Sequence, residues 1–223
     1  DDIKKGGPRA DLRSKGKVAT LACGYQGSTG ALIQMGAPKS GIPEEELQGI
    51  VKRWRKANQN IVRFWYDVEA AAIQAVQGRP STLDHGIHFE CEAGYLFITL
   101  PSGRRLAYYK PELRMEPKFE KMGLTYLGIG QNKQFTRQKS YGGKLVENIT
   151  QATARDCLRD AMTALDEAGY RIVFHVHDEV IVDMPEGEGS LADMQAIMGR
   201  PLPWAPGLPL RAAGFECNFY MKD

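Results

Sequence analysis

Asp178 and Glu179 stand side by side in the stretch R-I-V-F-H-V-H-D-E-V-I-V-D-M, Arg171 to Met184. Adjacent carboxylates are hard oxygen donors, suited to a hard divalent cation such as Mg²⁺ with substrate phosphates beside it. The flanking runs are rich in Ile, Val and Phe, which predicts two β-strands joined through His177 and Asp178. A two-residue hairpin turn needs positive φ and favours glycine or asparagine. His-Asp breaks that local rule, and such breaks concentrate at functional sites. A solvated turn without chemistry fits the same residues. His175 and His177 would fall on one strand face and could ligate a transition metal, but no further histidine lies nearby to complete that site.

A second constellation lies near the N-terminus. Arg13, Lys17, Leu21 and Tyr25 recur every four residues, so on a helix they form one stripe that passes from cationic to apolar to aromatic. Such a stripe could hold a nucleotide's triphosphate with its first half and the base with its second. A solvated basic turn whose later positions belong to the core has the same spacing. His85, His88 and Cys91 would line a helical face as zinc ligands, but Gly86 interrupts the segment and no fourth ligand is near.

Helical spacing predicts the elements that carry these residues. A helix over 11–26 opens at Asp11 or Ser14 and ends near Gly24 and Gly27. A short apolar helix follows between Gly27 and Gly36. The next starts after Pro43, acidic at its beginning and basic at its end, as the helix dipole prefers. Another covers Ile61 to Val76, with Val62, Trp65, Val68, Ala72 and Ile73 inward; Trp54, Trp65 and Tyr66 read as core packing. The period changes near Glu90, where two β-prone runs flank Pro-Ser-Gly, and Leu124 to Ile129 reads as a further strand before a polar, basic segment. A long helix runs from Lys144 to Ala168, buries Leu145, Ile149, Ala152, Cys157, Leu158, Ala161, Met162 and Leu165, and stops at Gly169. After the Asp178 hairpin come a short helix around Leu191 to Met198 and a terminal strand within R-A-A-G-F-E-C-N-F-Y. This order predicts an α+β fold, a helical lobe leading into a sheet-based one.

The chain has 223 residues and a net charge of only +2, so charge alone does not argue for a nucleic-acid partner. Its distribution is uneven. Arg104, Arg105, Lys110, Arg114, Lys118, Lys121, Lys133, Arg137, Lys139 and Lys144 make one stretch basic, while Asp156 to Asp193 is acidic. A polyanion held near a metal-binding centre would suit this pattern, as would two unrelated solvated faces. Four widely spaced cysteines form no C-x-x-C pair and fit a reducing compartment. No apolar run approaches a membrane span and the N-terminus has no signal-peptide pattern, so a cytoplasmic protein is expected. The absence of a starting Met suggests a piece of a longer chain.

Three separated segments together resemble the family A DNA polymerases, most closely their phage and prophage members. They are R-x-x-x-K from Arg13 to Lys17 with Leu21 and Tyr25; Y-G-G-K-L-V-E-N-I-T-Q-A-T-A-R-D from Tyr141 to Asp156; and V-H-D-E-V from Val176 to Val180. The W-A-P-G-L-P-L tail from Trp204 extends the similarity, which covers essentially the whole chain. The resemblance implies a helical fingers subdomain over 1–135, then over 136–223 the C-terminal part of a palm whose antiparallel sheet carries the active-site hairpin.

By that resemblance Asp178 would bind two catalytic Mg²⁺ ions, with Glu179 assisting directly or through water. The reaction would be attack of a primer 3′-hydroxyl on the α-phosphate of a deoxynucleoside triphosphate. Arg13 and Lys17 would hold the β- and γ-phosphates, Lys17 protonating the departing pyrophosphate. Leu21 and Tyr25 would lie by the incoming nucleotide. Gln151, Lys144, Arg155 and His177 would contact the backbone or minor groove of primer-template DNA. Leu21 departs from the family, where Phe or Tyr is usual. The D-[YF]-S-x-[IL]-E-x-R segment that supplies the family's other metal-binding Asp is absent, and so is the thumb. A polymerase part carrying them, in cis or in trans, is the implied partner, and the chain alone is expected to be inactive. Two other functions use the same residues: a non-catalytic nucleic-acid or nucleotide-binding module, and a metal-dependent phosphohydrolase built on His175, His177 and Asp178.

Overall fold

The computed structural model describes residues 3, 7–116 and 120–221; Lys118 of the basic stretch and the N-terminal Asp1, Asp2, Lys4 and Lys5 lie outside them. The architecture is α+β, and the chain divides into two compact units, residues 1–98 with 105–148 and residues 99–104 with 149–223. No helix of the described residues is long and apolar enough to cross a membrane.

The first unit opens with α1 (Ala10–Cys23), α2 (Thr29–Gln34) and α3 (Glu44–Ala57). They close around Cys23, Leu32, Ala37, Ile42, Leu47 and Val51, which together form one apolar cluster. Neither Asp11 nor Ser14 caps α1: the N-cap is Arg9, without a side-chain bond. Asp11 instead lies in the first turn and pairs with Lys15 at 3.5 Å. α4 (Gln59–Val76) buries Trp65, Val68, Ala71, Ala72 and Ala75. Trp54 stacks on Trp65 at 6.1 Å, but Tyr66, one residue further round the helix, points away and is 54% exposed.

α4 packs on a six-stranded meander, β1 (Ser81–Thr82), β2 (His88–Glu92), β3 (Tyr95–Thr99), β4 (Arg105–Glu116), β5 (Lys121–Ile129) and β6 (Phe135–Ser140), each strand beside the next. Phe89, Leu96, Ile98, Tyr108 and Leu124 form its buried face. Alternation in a strand sends every second side chain to the other face, so this face needs only half the residues to be apolar. That is why β6, F-T-R-Q-K-S, is a strand although its sequence reads as a polar, basic segment: it pairs along its whole length with β5, from Leu124–Ser140 to Ile129–Phe135. The same sheet disposes of the zinc reading. His85 sits in a turn at φ 61°, while His88 and Cys91 lie on β2 at opposite parity and face opposite ways.

The second unit contains most of α5 (Gly142–Glu167), the two-stranded sheet of β7 (Ile172–Val176) and β8 (Glu179–Val182), and α6 (Leu191–Met198). α5 ends in a left-handed Gly169 (φ 87°), where the Tyr170 N–H donates to the Leu165 carbonyl and the Gly169 N–H to the Asp166 carbonyl. The turn 99–104 belongs to this unit because Asp156 holds it. Asp156 is 2% exposed; its Oδ1 accepts from Arg104 Nε at 2.6 Å and its Oδ2 from the Ser102 hydroxyl at 2.6 Å. The predicted terminal strand is absent. Residues 211–220 run without a ladder although the sheet of β7 and β8 has only two strands; the segment meets that sheet through a side chain, Tyr220 lying edge-on to Phe174 with ring centroids 5.1 Å apart.

Candidate functional site

The Asp178 hairpin forms as its composition requires. Val176 pairs with Glu179, leaving His177 and Asp178 as the two turn residues. His177 takes the positive φ, 54°, that the turn demands and glycine would normally supply. Asp178 is exposed and Glu179 half-buried. His177 therefore leaves the strand at the turn and does not share a strand face with His175. His175 lies against the Arg155 guanidinium, its ring nitrogens 3.0 and 3.3 Å from Nη2 and Nη1. A metal on His175 would have to displace this cation, so the phosphohydrolase reading loses both its histidine pair and its electrostatics.

Asp178 and Glu179 do not by themselves build a metal centre. Among the described residues no group of three or more His, Cys, Asp or Glu side chains converges. Two carboxylates at a solvent-facing turn lack the near-octahedral set that Mg²⁺ requires unless other oxygens complete it.

On α1, Arg13, Lys17 and Leu21 are all exposed, and Tyr25 is half-buried in the turn after the helix. Neither Arg13 nor Lys17 has a carboxylate partner among the described residues, whereas neighbouring Lys15 has one. Leu21, 46% exposed, is not the core position that a plain amphipathic helix would make of it. The stripe is solvent-facing from Arg13 to Leu21, and Tyr25 lies beyond the end of α1.

The turn that carries Tyr25 is held from three sides. The Gly24 carbonyl accepts from Trp65 Nε1 at 2.9 Å. The Gly27 carbonyl accepts from Arg55 Nη2 at 3.1 Å. Gln26, at φ 68°, turns its Oε1 onto the Gly143 N–H at 2.9 Å. The Gly-Gly pair that opens α5 has a packing reason: a Cβ at Gly142 would lie 2.0 Å from the Trp65 carbonyl oxygen, and one at Gly143 2.3 Å from that of Tyr25. Gln26, Arg55, Trp65, Gly142 and Gly143 went unnoticed in the sequence as site residues; a glycine pair at a helix start was the available signal.

Lys144, Gln151 and Arg155 share one face of α5 by spacing. Gln151 and Arg155 are exposed. Lys144 is tied to Glu147 at 2.8 Å, and that hydrogen bond pushes its ammonium pKa up. The basic stretch is largely neutralised at home. Arg104 pairs with Asp156, Arg105 with Glu90 and Glu92, Arg114 and Arg137 with Glu112, Lys121 with Glu69, and Lys139 with Glu116. Its described members without a carboxylate partner are Lys110 and Lys133. Charge counted along the chain thus overstated the free cationic surface.

The α1 stripe belongs to the first unit and the hairpin, with Gln151 and Arg155, to the second. No family model matches the chain. No solved structure matches it. Over 224 aligned positions it is 57% identical to the DNA polymerase of Bacillus phage SP02. The match covers 100% of this chain and 34% of the phage protein, so the chain spans about a third of the length of the curated DNA polymerase that it resembles from end to end.

Proposed function

We propose that the chain is the fingers and C-terminal palm portion of a family A DNA polymerase that extends a primer on a DNA template. The observation that carries this reading is the 57% identity to a phage DNA polymerase along the whole chain. Arg13 and Lys17, exposed on one stripe and without a carboxylate partner among the described residues, support it, because two cations at that spacing suit the β- and γ-phosphates of a deoxynucleoside triphosphate. Lys17 is the acid for the departing pyrophosphate; Leu21 and Tyr25 flank the incoming base and sugar. Gln151, Arg155, Lys144 and His177 face the primer-template, reading duplex geometry rather than sequence.

Asp178, with Glu179 beside it, would contribute carboxylate oxygens to Mg²⁺, which when bound lowers the barrier to attack at the α-phosphate. The rest of the ligand set would come from substrate phosphates and from a polymerase part carrying the D-[YF]-S-x-[IL]-E-x-R segment. The test is primer extension with the chain alone and with the chain joined to, or mixed with, that part. Extension is expected only in the second case, and an Asp178→Asn variant of the completed enzyme that kept normal turnover would overturn the assignment. A non-catalytic binding module is the second reading, favoured by the lack of a converged ligand group among the described residues. It requires Mg²⁺-independent DNA binding and no extension in either arrangement.

A further inference from the structure

The meander has a second face, turned away from α4, and its chemistry is unlike that of an ordinary solvated sheet. Tyr95 on β3 and Tyr109 on β4 lie with ring centroids 5.0 Å apart, and Phe135 on β6 continues the row 6.5 Å beyond Tyr109. The register puts them together: Tyr109 opposes Leu127, Leu127 opposes Arg137, and Ile129 opposes Phe135. Phe135 is 60% exposed and Ile129 74%, so this end of the row is open to solvent. At the other end Phe97 stacks on Tyr95 and is already covered by the Arg105 guanidinium, 3.6 Å above its ring.

Charge on this face is uneven in the right sense. Arg105, Arg114, Arg137, Lys139 and Lys110 stand against Glu90, Glu92, Glu112 and Glu116, each of which already has a basic partner, and Lys133 lies in the turn between β5 and β6. The Lys110 ammonium has no carboxylate partner among the described residues and lies 5.5 Å from the Tyr109 ring centroid. It reaches that place through an irregularity: β4 bulges between Tyr109 and Glu112, and Lys110 sits at φ 45°, a conformation that costs a non-glycine residue about 1 kcal/mol or more. An open pocket of about 370 Å³ borders Tyr95, Lys110 and Glu112, but it is lined also by Cys91 and by Val76 of α4, so it lies at the rim of the sheet and not on this face alone.

The geometry points to single-stranded nucleic acid as the occupant of this face. Bases would stack along Tyr95, Tyr109 and Phe135, with Lys110, Lys133 and Arg137 beside the phosphates. Every base offers a π-face, so such a row binds without sequence preference, and a duplex, whose bases are already stacked inside, cannot use it. Neither Asp178 nor the α1 stripe takes part, and the inference stands whether or not the chain belongs to a working polymerase.

The experiment is fluorescence anisotropy of the chain with a labelled oligothymidylate about 12 nucleotides long, at low salt and without Mg²⁺. Phe135→Ala and Tyr95→Ala are expected each to weaken binding by about five- to a hundredfold, and Lys110→Gln to reduce the salt slope by about one. Tyr66→Ala, on exposed α4 surface, should leave affinity unchanged. Circular dichroism of each variant verifies folding, and Phe135, already mostly solvated, is the change least able to disturb it. Wild-type affinity in folded Phe135→Ala and Tyr95→Ala, no binding by the parent chain, or equally tight binding of a duplex of the same length would overturn the proposal. Loss of primer extension in the Asp178→Asn enzyme with oligothymidylate binding intact would show the two sites to be separate.

Discussion

The Oε1 of Gln26 accepts the backbone N–H of Gly143 at 2.9 Å, a bond across 117 residues that ties the turn after α1 to the first turn of α5. An N–H at a helix start has no partner within the helix, so this contact satisfies an orphan donor while fixing the backbone next to Tyr25.

Gly143→Ala is therefore expected to be more damaging than its size suggests. Its Cβ would approach the Tyr25 carbonyl to 2.3 Å, and overpacking of this kind costs about 1–3 kcal/mol. Gln26→Ala, which removes only the bond, should cost about 1 kcal/mol. Urea denaturation of the two variants checks the order; equal losses would mean that the glycine contact relaxes freely.

Asp156 is buried between Arg104 and Ser102, and removing a buried partner strands the others. Asp156→Ala should cost about 3 kcal/mol, and Asp156→Asn less, because an amide oxygen still accepts from one donor. Thermal unfolding of both measures it, and a loss below about 0.5 kcal/mol in the alanine variant would show that the turn 99–104 is held by other contacts.

Burial of the Tyr108 hydroxyl pushes its pKa up to about 12, the bond from Asn148 opposing the shift and Tyr126 adding to it. The folded state thus keeps this proton to higher pH than the unfolded chain, whose tyrosines titrate near 10. The associated stability is complete below about pH 10 and is lost as pH rises through about 12. Ultraviolet titration should show one late-ionising tyrosine, absent in Tyr108→Phe, and the alkaline decline in stability should be shallower in that variant.

His177 takes φ 54° at the hairpin turn, where glycine is free of strain. His177→Gly should hold or raise stability by up to about 1 kcal/mol, while weakening primer-template affinity in the completed enzyme if the imidazole faces DNA. A clear destabilisation would show that the ring makes a packing contact worth more than the strain.

Much of the fold was legible in the residues. α4 and α5 repeat their apolar positions at helical spacing over 18 and 26 residues, long enough for the pattern to dominate. The β7–β8 hairpin was legible from its Ile, Val and Phe runs, and even its missing glycine was informative, since His177 adopts the left-handed conformation that the turn requires. Spacing put Arg13, Lys17 and Leu21 on one helical stripe, but α1 ends at Cys23 and leaves Tyr25 in the turn beyond it.

What the sequence could not reveal depended on partners distant along the chain. β6 is polar because only one of its faces meets the core, and the 211–220 segment has strand-like residues yet pairs with neither β7 nor β8. The basic stretch looked like a surface for polyanions until the fold placed Glu69, Glu90, Glu92, Glu112, Glu116 and Asp156 against it. Helix periodicity and turn chemistry are local and are written in neighbouring residues. Charge pairing, sheet register and the Gln26–Gly143 bond join residues that meet only after folding, so the tertiary structure alone decided which cations are free and how Tyr25 is held.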